Sequence, residues 1–124
     1  MIIRFGLIGC GFISKRHIKA IADCRQAELS AVSDLKEDRM QEAIADFKKH
    51  AGDNREVSAY LNYQEMLQNE NIDVIVITTI SSLHAKMTIE ALNANKHVIL
   101  EKPMALSIEE ANEIIALSAV KQKK

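Results

Sequence analysis

One proline, two cysteines, almost no net charge and no long apolar run define what this 124-residue sequence does without. The scarcity of proline leaves no Pro-rich linker, and no repeat or low-complexity tract divides the chain. Cys10 and Cys24 lie 14 residues apart with no partner ligands at zinc spacing, so neither a structural metal nor a disulfide is expected and both thiols read as reduced. His17, His50, His84 and His97 likewise lack any paired metal-ligand spacing. The longest stretch free of charge runs from Val74 to Ala85, well short of the ~20 apolar residues that cross a bilayer, so no membrane span is expected. Sixteen basic against 17 acidic residues leave a net charge of −1, which gives no field to attract nucleic acid or an anionic membrane. The apolar run Ile2 to Cys10 is interrupted by Arg4 and has no basic leader, so it reads as a strand and not a signal peptide, with the cytoplasm as the expected address.

What is present is an ordinary globular composition, 48% hydrophobic and 27% charged, at a length that suits one domain. Ile2 to Ile8 form a nearly continuous apolar run, as in a strand buried on both faces. From Ile13, apolar residues at Ile13, Ile18 and Ile21 take up helical spacing, with His17 on the same side, where it reads as a packed histidine. Ala27 to Ser33 reads as a second strand, followed by a helical stripe of Met40, Ala43, Ile44 and Phe47. Val57 to Tyr60 suggests a short third strand, and Asn62 with Glu65 a capping box for a short helix through Leu67.

The β-branched run Ile72 to Ile77, broken only by Asp73, indicates a central fourth strand. A helix from about Leu83 to Ala94 and a strand from about His97 to Leu100 follow. Ser107 with Glu110 opens a last helix whose Ile108, Ala111, Ile114, Ile115 and Leu117 are expected to face the sheet, and Lys121 to Lys124 reads as its frayed end. Strands and helices alternating at these lengths predict an α/β fold, a doubly wound parallel sheet of about five strands with right-handed crossovers.

The chemistry concentrates at three strand ends. Gly9-Cys10-Gly11-Phe12-Ile13-Ser14 falls between the first strand and first helix, where a dinucleotide fingerprint belongs. The first glycine permits the tight turn and the second lets the backbone approach a pyrophosphate at the helix N-terminus. Ser14 replaces the third glycine, expected to loosen helix-to-strand packing slightly, and Cys10 reads as a small filler of the turn. Asp34, 25 residues after Gly9, ends the second strand, where a carboxylate accepts from the ribose hydroxyls and repels a 2′-phosphate, favouring NAD. Lys36 and Arg39 stand near enough to admit NADP, and Asp34 is alternatively a helix N-cap.

After the fourth strand, the hydroxyls of Thr78, Thr79, Ser81 and Ser82 can line a cofactor crevice, with His84 beyond them. The alternative is that Ser81 or Ser82 caps the next helix and His84 lies on its surface. Glu101-Lys102-Pro103 ends the fifth strand, where a lysine can meet a substrate and a proline can stiffen the loop; as a bare tripeptide it is equally a strand exit.

Taken in order, the glycine fingerprint, the segment from Thr79 to His84 and Glu101-Lys102-Pro103 resemble the Gfo/Idh/MocA oxidoreductases, named for glucose-fructose oxidoreductase and inositol dehydrogenase. Tyr63 to Leu67 and Lys96 to Leu100 fit the same pattern, so the likeness covers essentially the whole chain; Ile80 departs from it, since a proline often stands there. The resemblance implies that residues 1–124 form a Rossmann-type dinucleotide-binding domain using NAD, with NADP admitted. It places Gly9, Gly11, Phe12 and Ile13 along the pyrophosphate, Asp34 at the adenosine ribose, and Thr79, Ser81 and His84 near the middle of the cofactor. Glu101 and Lys102 then stand near the nicotinamide ribose and substrate, with Lys102 as the catalytic residue orienting or polarising the reacting oxygen.

The family implies a carbohydrate-like small-molecule substrate: a sugar, inositol or nucleotide sugar whose carbinol or carbonyl is oxidised or reduced. It also implies homo-oligomers and a second, β-sheet domain that binds substrate and is absent from these 124 residues, so the chain alone is expected to turn over nothing. A non-enzymatic regulator that senses the dinucleotide is the alternative within the same fold.

Overall fold

A computed structural model describes residues 1–124. Five strands, β1 (Ile3–Ile8), β2 (Ala27–Ser33), β3 (Ser58–Tyr60), β4 (Val74–Ile77) and β5 (His97–Leu100), alternate with five helices. The helices are α1 (Ser14–Asp23), α2 (Glu37–Ala51), α3 (Tyr63–Leu67), α4 (His84–Asn93) and α5 (Ile108–Lys121), and a 3-10 turn, Ser81–Leu83, leads into α4. All pairings are parallel, in the order β3-β2-β1-β4-β5, so the expected doubly wound sheet is present. Because the chain moves outward from β1 on one side and returns to place β4 on the other, the direction of winding switches between β1 and β4. A crevice opens there at the carboxyl edge, the place where open α/β sheets hold ligands.

Alternation along the central strands fills both faces. Leu7, Val32 and Val76 pack with Ile18 and Ile21 of α1 and with Met40 and Phe47 of α2. Ile8, Ala31, Ile75 and Ile77 turn to the opposite face, against Met66 and Leu67 of α3 and Met87 and Ala91 of α4. The sequence's near-continuous apolar strands are thus accounted for by burial on two sides. Asp73, the interruption before β4, serves the amino edge of the sheet: its Oδ2 accepts the Arg4 amide at 2.8 Å and the Arg4 guanidinium at 3.3 Å.

Three expectations are corrected. Of the α5 stripe only Ile114 is buried, while Ile108 and Ile115 are exposed and Ala111 and Leu117 are half-buried. The reason is that α5 packs on α4, through Ala85, Leu92 and Ile114, at the edge of a sheet that ends with β5, so half the stripe overhangs it. The C-terminus is not frayed: after Gln122 takes a left-handed conformation, the Val98 amide donates to the Lys124 carbonyl at 2.9 Å. Asn62 does cap α3, but its side chain accepts from Gln64 and the reciprocal bond from Glu65 is not formed. Ser107 accepts from the Glu110 amide as its motif implies.

Candidate functional site: a glycine loop at the switch point

The loop from β1 to α1 is shaped by backbone contacts. Gly9 has φ +93, and a Cβ there would lie 2.8 Å from the Thr78 carbonyl carbon and oxygen, so only glycine fits. Thr78 completes the junction, its hydroxyl donating to the Gly9 carbonyl at 2.6 Å. This buried threonine therefore braces the loop and does not offer its hydroxyl to the crevice. Gly11 is different: its Cβ position meets nothing within 4 Å, leaving the backbone open.

The amides then divide into two sets. Gly9 donates to the Ser33 carbonyl and Cys10 to Asp34 Oδ2, both at 2.8 Å. The N–H groups of Gly11, Phe12 and Ile13 find no acceptor in the protein, and α1 has no side-chain cap. Three free donors in sequence at a helix N-terminus form a cradle for an anion, which is what a diphosphate requires. Ser14, in the position of the third glycine, is buried and donates its hydroxyl to the Gly11 carbonyl. Phe12 is exposed and Ile13 half-buried beside these amides.

Asp34 is not the N-cap of α2, whose capping position is Lys36 with no side-chain bond. Its two oxygens accept the Cys10 amide and, at 2.9 Å, the Lys36 amide, tying the end of β2 to the glycine loop. A carboxylate has about four acceptor sites, so capacity remains for hydroxyl donors. Burial, with the Asp34 charge as a second cause, pushes the Cys10 thiol up to about 12, as suits a filler of the turn.

Gly9, Gly11 and Asp34 line a cleft of about 490 Å³ together with Thr79, Ile80, Arg39 and Lys86, while Phe12 and Ile13 stand outside its lining. A larger cleft, about 800 Å³, lies at the opposite edge around Asp73, Asn95 and Lys96 and contains none of the residues expected from sequence. Its buried cation is already satisfied, because Lys96 Nζ donates to the carbonyls of Asn69 and Ile72 at 2.7 and 2.8 Å. Of the two, the smaller cleft is the one that holds both glycines of the loop and Asp34.

Beyond it, the loops after β4 and β5 are joined from below. His84 is fully buried, with Nδ1 2.7 Å from the Pro103 carbonyl and Nε2 3.0 Å from the Thr79 carbonyl. It is neither a surface residue nor open to a ligand, and it reaches the crevice only through these backbones; a neutral imidazole donates to one of the two carbonyls and packs against the other. No side chain caps α4, and Ser81 is exposed on the 3-10 turn outside the cleft lining. Thr79 directs its hydroxyl to Met87 Sδ at 3.3 Å. Lys102 is exposed with no ion-pair partner, and its peptide bond to Pro103 is cis.

Sequence reading missed the partner of Glu101. His17 Nε2 of α1 lies 2.8 Å from Glu101 Oε1, so this histidine is paired and not merely packed. Its apolar-side position on α1 concealed the role, since nothing in helical spacing shows that the end of β5 arrives beside it. That hydrogen bond, ahead of an opposing desolvation and the Lys102 amide, holds the Glu101 carboxyl below the usual carboxylate range.

Comparison with known proteins identifies the family to which this fold belongs. A family model described as "Oxidoreductase family, NAD-binding Rossmann fold" matches residues 3–124. Inositol 2-dehydrogenase of Salmonella typhimurium is 30% identical over 116 residues, covering 93% of this chain and 33% of its own length. Myo-inositol dehydrogenase from Lactobacillus casei, solved with NAD(H) and myo-inositol, superposes with a TM-score of 0.87 at 27% identity, covering 100% of this chain and 35% of that one. KijD10, a 3-ketoreductase from Actinomadura kijaniata solved with NADP and TDP-benzene, gives 0.86 at 26% identity, covering 99% and 36%. The chain spans about a third of the length of these relatives. Matched from its third residue to its last, it belongs to the Gfo/Idh/MocA oxidoreductase family, whose fold here is the NAD-binding Rossmann fold.

Proposed function

We propose that this chain is the cofactor-binding portion of an NAD(P)-dependent oxidoreductase acting on the carbinol or carbonyl of a sugar, inositol or nucleotide sugar. The observation that carries the reading is the run of unpartnered amides at Gly11, Phe12 and Ile13, set against the glycine junction and the Asp34 carboxylate. Bound there, the dinucleotide supplies the electron acceptor or donor that the side chains lack. Gly9 and Gly11 keep the backbone bare, the free amides hold the diphosphate, and Asp34 accepts from the adenosine ribose. Thr79 and Ser81 flank the middle of the cofactor, while His84 holds the Thr79 loop from beneath.

Glu101 orients the end of β5, and Lys102, whose ammonium is unpaired, donates to the reacting oxygen of the substrate. The inositol dehydrogenases and the ketoreductase among the relatives support a carbohydrate-like substrate. In the proposal, the complete enzyme adds a substrate domain, assembles as a homo-oligomer and works in the cytoplasm, with neither nucleic acid nor membrane as partner. Alone, these 124 residues bind dinucleotide and turn over nothing. Calorimetric titration with NAD and NADP tests the reading: saturable binding of either is expected, and absence of both would refute it. In the complete enzyme, Lys102→Ala is expected to abolish turnover while sparing cofactor affinity. Unchanged turnover would remove Lys102 from the mechanism, and a complete protein that binds NAD without any turnover would favour the sensing regulator.

A further inference from the structure

Lys102 carries the chemistry proposed above, yet its own side chain is exposed and unpaired, so its position depends on what holds its backbone. Two contacts do. On one side, His84 Nδ1 meets the Pro103 carbonyl at 2.7 Å. On the other, Glu101 Oε2 accepts the Lys102 N–H at 3.2 Å, while Oε1 of the same carboxylate takes the His17 hydrogen bond at 2.8 Å. A carboxylate swings freely about its side-chain torsions unless something fixes it. Here the fixing group comes from the first turn of α1, the helix whose N-terminus presents the free amides. Because a carboxylate only accepts, Nε2 is the ring nitrogen that bears the proton.

We infer that His17 is a positioning residue for Lys102, acting through the Glu101 carboxylate to hold the lysine backbone in fixed relation to the N-terminus of α1. The functional meaning rests on the reading of Lys102 as the residue that meets the reacting oxygen. The relay makes one helix set both ends of the reaction geometry: its amides seat the diphosphate, and its histidine places the lysine. An ångström of drift between those two is the kind of error that costs an enzyme rate.

The test is amide exchange of Lys102 by NMR in this chain, compared among wild type, His17→Gln, His17→Leu, Glu101→Ala and the double variant His17→Leu/Glu101→Ala, with His17 ring nitrogens read by long-range ¹⁵N correlation. Expected are a protonated Nε2 in wild type and Lys102 exchange about fivefold faster in His17→Leu and in Glu101→Ala, the scale of one hydrogen bond. The double variant should exchange no faster than Glu101→Ala alone. His17→Gln, which keeps a donor, should restore most of the protection. Unchanged exchange in His17→Leu, additive effects in the double variant, or glutamine performing no better than leucine would overturn the relay. Should His17→Leu fail to fold, normal Lys102 exchange in Glu101→Ala would overturn it equally. The cofactor reading fails separately: NAD added to the wild type would then leave the Gly11 to Ile13 resonances unmoved, whatever the His17 variants show.

Discussion

Replacing Gly11 by alanine separates the ligand role of the glycine loop from its structural role. The added methyl meets no atom within 4 Å, and Gly11 lies outside the left-handed region. The change in folding stability is therefore expected within about 1 kcal/mol of wild type, with reduced unfolded-state entropy acting in the stabilising direction. The same methyl enters the space from which a diphosphate would approach the amides of Gly11, Phe12 and Ile13. Hydrogen bonds to a charged partner contribute about 1.5–3 kcal/mol each, so losing even one weakens NAD by about tenfold or more.

Gly9→Ala is the counterpart. Its Cβ would stand 2.8 Å from the Thr78 backbone at φ +93, and this combination should cost about 2–4 kcal/mol of stability. Urea denaturation and calorimetric NAD titration on both variants provide the readout. A Gly11→Ala chain of normal stability that binds NAD as tightly as wild type would refute the placement of the diphosphate, and a Gly9→Ala chain of normal stability would refute the loop geometry.

Other consequences concern neighbouring groups. Asp34→Ala should weaken NAD more than NADP in parallel titrations, because the carboxylate that receives the ribose hydroxyls also repels a 2′-phosphate; equal losses would reduce Asp34 to its bonds with Cys10 and Lys36. Glu101 is held below its ordinary range by His17, so its contribution is complete above the unfolded carboxylate value and disappears as pH falls through the folded one. The stability gap between wild type and Glu101→Gln should thus be present at neutral pH and close only as the pH falls below the ordinary carboxylate range, as followed by denaturation across pH. Iodoacetamide at pH 8 should label exposed Cys24 and spare buried Cys10, whose thiol is pushed up to about 12; mass spectrometry would show both labelled if the turn were open. Lys96→Met should cost about 1–3 kcal/mol by urea denaturation, since the buried Ile72 carbonyl loses its Lys96 donor while the Asn69 carbonyl keeps only the Ile72 amide, and a neutral result would show that water replaces the ammonium.

The elements that read clearly from sequence are those whose burial follows local periodicity. β2 and β5 match the expected bounds, and the α2 stripe of Met40, Ala43, Ile44 and Phe47 is buried throughout, because a central sheet imposes the same demand on each repeat. The α5 stripe was legible as a helix but not in its partner, since periodicity gives a face without saying that the sheet ends at β5. The same limit explains the site. Gly9, Gly11 and Asp34 sit at strand ends whose order fixes their meeting, whereas the pairing of His17 with Glu101 joins residues 84 apart in sequence through the placement of β5 beside α1. His84 shows a further step: its burial between two carbonyls depends on the path of the Pro103 loop, which spacing does not encode.

A crystal structure of the chain with NAD is the most direct measurement. The diphosphate oxygens are expected within hydrogen-bond distance of the Gly11, Phe12 and Ile13 amides, with Asp34 on the adenosine ribose. Dinucleotide bound elsewhere, with those three amides still free, would contradict that placement.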